Sequence, residues 1–476
     1  MTVCVSPLSV YSCNSDRSRE ADMFLKYIPK KRVILLLGDV FLIACSCYLS
    51  VIVTAGWHGN EFEFTRTACN AFLCTGIFYV FDLYNTEKNF LSLKYVVDFF
   101  LAILAVLALD AMIFLLLPSF RTGRELFFMT NAMIAISTFQ WRVLFKEIFK
   151  SRLVKPLNVL IIDSGAAGRA AYYAIKDRQD YNVVGFLDAD RSKWGKSLSP
   201  TVLGGFSLLK NAALMHDVNA VVVANASDDD ELLKNTREIK MNGMEVYNAA
   251  SFYEELFGKI PVEHLNDFWF VSTQIAGVRK NFYNLRIKRV LDFALSMTGL
   301  VVTLPVGALA AILIKLESRG PVFYRQKRVG LKGMPFYLFK FRSMECGRED
   351  ERALAGSECD PRITRIGRII RTFRIDEIPQ MWNVLKGEMS FIGPRALIED
   401  EVNEFERYIP YFSIRHCVKP GITGWAQVNY PHGKTLEDAR EKIQYDLFYI
   451  KNSSLFLDIY IILKTVQVVL LGKGAK

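Results

Sequence analysis

The chain has 476 residues and a formal net charge of +10, from 59 Lys and Arg against 49 Asp and Glu. Its mean hydropathy of +0.18 is high for a soluble protein, so the apolar excess belongs in membrane segments. No arginine-rich run or nucleic-acid motif occurs, which argues against nucleic acid and leaves anionic lipid or a phosphorylated substrate to account for the basic charge. The nine cysteines form no C-x-x-C pair and no zinc spacing, as in a reduced, cytosol-facing protein without structural disulfides.

In chain order, residues 1–32 are polar and read as a cytoplasmic N-terminus, because the apolar run after Lys30-Lys31-Arg32 is too long for a cleavable signal. Residues 33–150 carry four apolar segments, Val33–Ala55, Ala68–Tyr84, Tyr95–Pro118 and Glu125–Phe145, each near the length of a membrane-spanning helix. Lys26, Lys30, Lys31 and Arg32 lie before the first. Arg142, Lys146, Lys150, Arg152 and Lys155 are counted as following the fourth, so both ends are expected in the cytoplasm.

Residues 156–250 alternate strand and helix. NVLIIDSGAAG (Asn158–Gly168), NVVGFLDAD (Asn182–Asp190), VNAVVVAN (Val218–Asn225) and MEVYNA (Met244–Ala249) predict four strands of a doubly wound, Rossmann-like α/β sheet. Gly165 and Gly168 match the last two glycines of G-x-G-x-x-G, and Asp188 stands where a ribose-binding acid would be. Asp163 replaces the first glycine, which favours a structural or regulatory domain over a nucleotide site. Asp228-Asp229-Asp230 reads as a helix start rather than a metal cluster. A linker is expected over residues 251–285.

The region 286–476 opens with one more apolar stretch, residues 290–316, interrupted by Pro305. Arg286, Lys288 and Arg289 precede it; Lys315, Arg319, Arg325, Lys327 and Arg328 follow it. A spanning helix is basic on one side only, so the charges predict a re-entrant hairpin broken at Pro305 with both ends cytoplasmic. Two arms of about 22 and 16 Å would each enter one leaflet and return. The last apolar run, Leu455–Leu471, carries Asp458, Lys464 and Gln467 and suits an interfacial helix.

Between these membrane elements, FRIDEIPQMWNVLKGEMSFIGPRA (Phe373–Ala396) sets Asp376 and Glu377 among Arg368, Arg371, Arg374, Lys386 and Arg395. Many of these cations could simply face anionic lipid. Paired acids in a positive field also suit phosphoryl transfer, which needs cations on the phosphates, a divalent metal and a nucleophile. One carboxylate could face phosphorus while its neighbour holds Mg²⁺, with the cations keeping the attacking carboxylate ionised.

The motifs RIKRVLDF, GPVFYRQKRVG, FKFRSM, DPRITRIGRIIRTFRIDEIPQMWNVLKGEMSFIGPRA, VKPGITGWAQVNY and YDLFYIKNSSLFLDIYIILKT occur in that order from Arg286 to the C-terminus. This region resembles the bacterial sugar transferases, the polyprenol-phosphate hexose-1-phosphate transferases, and the N-terminal half resembles that of their large members. The resemblance implies a bacterial inner-membrane enzyme with its catalytic domain facing the cytoplasm. It would transfer hexose-1-phosphate from a UDP-sugar to undecaprenyl phosphate, release UMP, and begin the assembly of a polysaccharide such as exopolysaccharide, capsule or O-antigen. It implies Asp376 as nucleophile and Glu377 as the Mg²⁺ ligand. Arg371, Lys340, Arg342 and Arg395, with Arg362, Arg365 and Pro394, correspond to positions around the phosphates and nucleotide, and Pro305 to the hairpin break. A homodimer through the N-terminal half is compatible with this organisation. The competing reading, a membrane-bound nucleotide-sugar dehydratase or epimerase, would need an intact glycine fingerprint and a later Tyr-x-x-x-Lys. Tyr172 and Lys176 instead follow the glycine turn directly.

Overall fold

A computed structural model describes residues 30–55, 64–86, 88–117, 123–150, 156–178, 180–195, 200–224, 229–265, 267–279, 282–344, 363–431, 433 and 435–470. The chain divides into two compact units, Met1–Val154 with Val466–Leu471, and a larger one centred on Lys155–Thr465.

The first unit holds helices α1 (Lys30–Ala55), α2 (Phe64–Val80), α3 (Leu93–Leu116) and α4 (Arg124–Lys150), one for each apolar segment. Of these, α1 and α3 are long and apolar enough to cross a membrane. The other two are not: α2 has 17 residues, and α4 carries Arg124, Glu125, Arg142, Lys146, Glu147 and Lys150. Arg142 is not a flanking charge as its position suggested. It is fully buried, paired with Asp39 through both guanidinium nitrogens at 2.9 Å, and packed over the Phe78 ring. Its Nε donates to the Tyr95 hydroxyl. A bidentate pair of this kind satisfies both charges where water is excluded.

In the second unit, β1 (Leu157–Ile162), α5 (Ala166–Ile175), β2 (Tyr181–Leu187), β3 (Val202–Gly204), α6 (Leu209–Met215), β4 (Ala220–Val223), α7 (Asp230–Met241), β5 (Glu245–Asn248) and α8 (Ala249–Phe257) alternate along the chain. All five strands pair in parallel in the order β3-β2-β1-β4-β5. Alternation along β1 sends Leu160 and Ile162 into a core with α6 and α7, and Val159 and Ile161 into one with α5 and α8. Burial on both faces explains the near-continuous apolar runs. The sequence reading missed β3, a three-residue strand at the sheet edge. Asp229 caps α7 by accepting from the Glu231 and Leu232 amides, so the Asp228-Asp229-Asp230 run does begin a helix, with Asp228 outside the described residues.

The expected linker is instead folded. α8 packs into the sheet through Phe252 and also binds α12 (Leu436–Asn452): Glu254 meets Lys451 at 2.5 Å and Asn452 at 2.7 Å. Farther on, the Ile260 amide donates to Gln444, the Ala276 and Gly277 amides to Lys451 and Ile450, and Trp425 Nε1 to the Gly258 carbonyl.

Over the stretch 290–316 the helical path does not stop at Pro305. Lys288–Glu317 is one continuous 30-residue helix, here α9, with Pro305 inside it. Proline removes one N–H and crowds the preceding turn, and the Thr303 hydroxyl donates back to Gly299 O at 2.6 Å, a bond that favours bending. Contacts with a single domain hold both halves. Asp292 and Ser296 are buried on the first half, Ala310 and Ile314 on the second, and a Cβ at Gly299 would lie 2.8 Å from the Met381 sulfur. The opposite side exposes Val290, Phe293, Val301, Leu304, Leu309, Ile312 and Leu316. α9 is, with α1 and α3, one of the three helices among the described residues that could cross a membrane by length and composition.

The rest of this region packs on that helix. β6 (Phe323–Val329) and β7 (Pro335–Phe341) form an antiparallel hairpin. α10 (Arg365–Thr372) and α11 (Gln380–Lys386) flank the acidic pair, β8 (Ser390–Ile392) pairs in parallel with β9 (Gly421–Thr423), and α13 (Leu455–Leu470) follows α12. Asp458 does not mark a polar outer face of α13. It is buried and accepts from Tyr449 (2.9 Å), Lys288 (2.7 Å) and Tyr283.

Candidate active site

Asp376 and Glu377 sit on a short 3-10 turn, Ile375–Glu377, entered through Arg374 in the left-handed region at φ 57°. The pattern Ile-Asp-Glu-Ile explains the placement. Ile375 and Ile378 pack against Ala310, Ile314, Phe341 and Ile370, which leaves the acids between them to point elsewhere. In a turn with three residues per revolution, neighbours diverge by about 120°. The two carboxylates therefore face different surroundings.

Glu377 collects the cations. Its Oε1 lies 3.2 Å from Arg395 Nη2, 3.4 Å from Lys340 Nζ and 3.7 Å from Arg374 Nη1. Burial alone would raise its pKa, but Arg395, Lys340 and Arg374 outweigh burial and hold it at about 2. Asp376 is 7% exposed, and among the described residues its ion pair is the longer contact to Lys340, 3.8 Å. Burial, followed by the Glu377 charge, pushes it up to about 6 against the opposing pull of Lys340, Arg371 and Arg374. The cations are thus centred on its neighbour, while Lys340, Arg371 and Arg374 still pull Asp376 toward its ionised form.

Each cation arrives by a separate route. Lys340 is on the inward face of β7 with Phe336 and Leu338, as the two-residue period dictates, and burial lowers its pKa. Asn383, which the sequence reading did not single out, ties α11 to β7: its Nδ2 donates to Tyr337 O at 2.7 Å and its Oδ1 accepts from the Phe339 amide. Arg395 is delivered by backbone pairing between the two glycine motifs. The Gly393 amide donates to Thr423 O and the Gly421 amide to Pro394 O, both at 2.8 Å. A Cβ at Gly393 would lie 2.4 Å from Lys419 O and one at Gly421 2.1 Å from Gly393 N, so only glycine permits the approach. Arg415, buried and paired with Asp446 at 3.0 Å, donates to the Arg395 carbonyl.

The remaining candidates divide. Arg371, exposed in the last turn of α10, is close enough for its charge to act on Asp376. Arg365 is exposed at the first residue of α10, about 9 Å along the helix axis from Arg371. Pro394 is buried and contributes its carbonyl to the strand pairing. Arg342 does not join the dyad. It is buried and donates to Ser318 O and Oγ, both at 2.7 Å, and to Arg319 O, closing the C-terminus of α9. Arg362 lies outside the described residues. In the sheet unit, Asp188 already accepts from the Ser164 amide and hydroxyl and from Lys193. Asp163, at φ 80°, accepts from the Gly165 amide. The acids at the fingerprint positions are thus engaged by their own chain.

If this pairing sets the position of Arg395, Gly393→Ala should force the two strands apart. The expected result is a loss of about 1–3 kcal/mol of stability, with a larger fall in activity than Ala396→Gly causes, checked by thermal unfolding and by turnover at a temperature where both variants are folded.

A family model described as bacterial sugar transferase matches residues 283–472. The UDP-N-acetylgalactosamine-undecaprenyl-phosphate N-acetylgalactosaminephosphotransferase of Aeromonas hydrophila is 40% identical over 54% of this chain and 60% of that protein. Two proteins named UDP-glucose:undecaprenyl-phosphate glucose-1-phosphate transferase are each 41% identical. The one from Xanthomonas campestris pv. campestris aligns over 46% of this chain and 45% of its own length, and the one from Caulobacter vibrioides over 40% and 71%. The chain therefore spans 60% and 45% of the length of the first two relatives and 71% of the third. With a buried acidic pair, its ring of cations and these likenesses in one region, the chain belongs to the bacterial sugar transferase family.

Proposed function

We propose that the chain is a phosphoglycosyl transferase that moves hexose-1-phosphate from a UDP-hexose to undecaprenyl phosphate, the priming step of a polysaccharide. The observation that carries this reading is the unequal surroundings of the buried dyad: Arg395, Lys340 and Arg374 lie 3.2, 3.4 and 3.7 Å from Glu377, while Asp376 keeps a 3.8 Å contact to Lys340 and burial pushes its pKa up. The names of the relatives support the substrates, and because those names include both glucose and N-acetylgalactosamine, the reading is kept at the level of a hexose.

The chemistry follows from the two environments. An Asp376 carboxylate oxygen attacks the sugar-bearing phosphorus of the UDP-hexose. The bond from that phosphorus to the bridging oxygen breaks and UMP leaves with the electron pair. A phosphate oxygen of undecaprenyl phosphate then attacks the same phosphorus and expels the Asp376 carboxylate, giving undecaprenyl-diphosphate-hexose. Lys340, Arg395 and Arg371 neutralise charge on the diphosphate in a site with little water, where each cation acts more strongly than in solution. For Mg²⁺, Glu377 fits as a single protein carboxylate: its Oε1 takes the three cations, and its Oε2 makes no hydrogen bond among the described residues. A hard cation held by one carboxylate and substrate phosphates is a common arrangement. When bound, it would supply charge neutralisation at the transferring phosphate.

We read the five-stranded parallel sheet as a doubly wound Rossmann-like domain with a structural or regulatory role, because its fingerprint acids are engaged by their own chain. We place α9 in one leaflet with both ends cytoplasmic. Both of its halves rest on the catalytic domain, through Asp292 and Ser296 in the first and Ala310 and Ile314 in the second, while Val301, Val302, Leu304, Val306 and Leu309 between them are exposed, so a span would draw part of that polar domain into hydrocarbon. This arrangement sets the dyad at the inner membrane's cytoplasmic face, where UDP-sugars are.

Asp376→Asn should reduce turnover by about 10⁴-fold or more, whereas Glu377→Gln should raise the Mg²⁺ concentration needed for half-maximal rate; full activity of the first variant contradicts the assignment. Below a pH of about 6 the Asp376 carboxyl is protonated and no longer nucleophilic. The rate under kcat/KM conditions should therefore fall as pH drops through about 6 and plateau above it; an acid limb near 4 would contradict this. Single cysteines at the exposed Arg286 and Arg325, in a background lacking the native cysteines, should both react only with cytoplasmic reagents. Periplasmic labelling at Arg325 would show that α9 spans.

A further inference from the structure

A second polar cavity lies at the base of α9, apart from the dyad. It encloses about 170 Å³, and its lining includes Lys288, Arg289, Asp292, Ser390, Lys419 and Tyr449. Three cations face one carboxylate there. Lys288 is paired with Asp458 and donates to the Tyr449 hydroxyl, and the Asp292 carboxylate accepts from Ser390 Oγ (2.9 Å) and the Phe391 amide (2.8 Å). Arg289 gives its two terminal nitrogens to the Val384 and Leu385 carbonyls at the end of α11. Lys419 is different. It is half-buried, and among the described residues no carboxylate or hydrogen-bond acceptor pairs with its ammonium. Burial, followed by the neighbouring Arg289 charge, lowers its pKa against the weaker opposing pull of Asp292.

We propose that this cavity is a phosphate-binding site, distinct from the catalytic dyad, in which Lys419 supplies the ligating ammonium and Arg289 and Lys288 the surrounding positive field. A phosphate would give Lys419 the acceptor it lacks and offset the excess of cations, whereas the Tyr449 and Ser390 hydroxyls already give their protons to Asp458 and Asp292. The volume suits a headgroup-sized anion, several times the space one water needs. The place in the fold favours a phospholipid headgroup: Lys288 and Arg289 begin α9, and its exposed apolar face starts at the next residue, Val290, and continues through Phe293. A soluble phosphate shares the same chemistry. The proposal is independent of the transfer reaction, since none of these residues contacts Asp376 or Glu377.

Cys417 is exposed and also lines the cavity, so it reports occupancy. The test uses the full chain in detergent with the other cysteines replaced, and measures the rate of maleimide alkylation of Cys417. One arm titrates short-chain phosphatidylglycerol against the matching diacylglycerol, and the other titrates inorganic phosphate. Saturable slowing by phosphatidylglycerol alone assigns the site to a lipid headgroup. Slowing by inorganic phosphate as well assigns it to phosphate from either source. Lys419→Gln should weaken the protecting ligand by about tenfold or more, the effect of losing one charge-assisted hydrogen bond, while Lys419→Arg should keep protection. No slowing in either arm with the native lysine, or slowing unchanged in Lys419→Gln, would overturn the proposal.

Discussion

A buried carboxylate with three cations around one oxygen is the constraint on which the rest of the catalytic region depends. Left alone, a buried Glu377 charge would cost several kcal/mol. Arg395, Lys340 and Arg374 offset that cost only because three separate pieces of chain meet at Oε1: the end of a strand pair, an inward strand position and a left-handed turn. The same arrangement leaves Asp376 with the weaker share of the positive field. The two acids are adjacent in sequence, yet burial pushes Asp376 up while the cations hold Glu377 down. Pairs of groups pushed apart in this way divide into distinct chemical roles.

The cations need a rigid support, and it is shared with the membrane helix. Ile375 and Ile378 anchor the acidic turn in the same cluster as Ala310 and Ile314 of α9, and Arg342 and Arg289 fasten the end and the beginning of that helix to the domain. A disturbance of α9 is therefore transmitted to the dyad through apolar packing as well as through chain connectivity. On the other flank, Glu254 joins the sheet to Lys451 of α12 and Trp425 donates to the Gly258 carbonyl at the end of α8, so the parallel sheet is packed on this region.

Much of this was legible in the sequence. The alternating apolar runs marked four of the five parallel strands, and the cluster of Arg and Lys around Asp376-Glu377 marked the site. Local pattern could not separate a charge that flanks a membrane from one buried within a bundle. Arg142 pairs with Asp39, 103 positions away, and only tertiary structure brings them together. Arg342 fits a phosphate-binding motif by spelling, yet its strand position aims it at the carbonyls ending α9. Pro305 argued for a break because proline disfavours a helix interior locally, while packing of both halves on one domain maintains the helical path. The glycines of GPRA and KPGITG were visible as motifs. That they are glycines because the two backbones touch was not. Asn383 gave no signal, since a buried asparagine acting as a surrogate strand partner looks like any polar helix residue.

The most direct test of the account is whether Asp376 becomes covalently charged with sugar phosphate. The purified chain, incubated with UDP-glucose or UDP-N-acetylgalactosamine and Mg²⁺ but no lipid acceptor, would be denatured, digested and analysed by mass spectrometry while released UMP is quantified. The account predicts a single hexose-phosphate adduct on the peptide containing Asp376, matched by an equal amount of UMP and discharged on adding undecaprenyl phosphate. UMP release that requires undecaprenyl phosphate, with no adduct at Asp376 at any time, would contradict it.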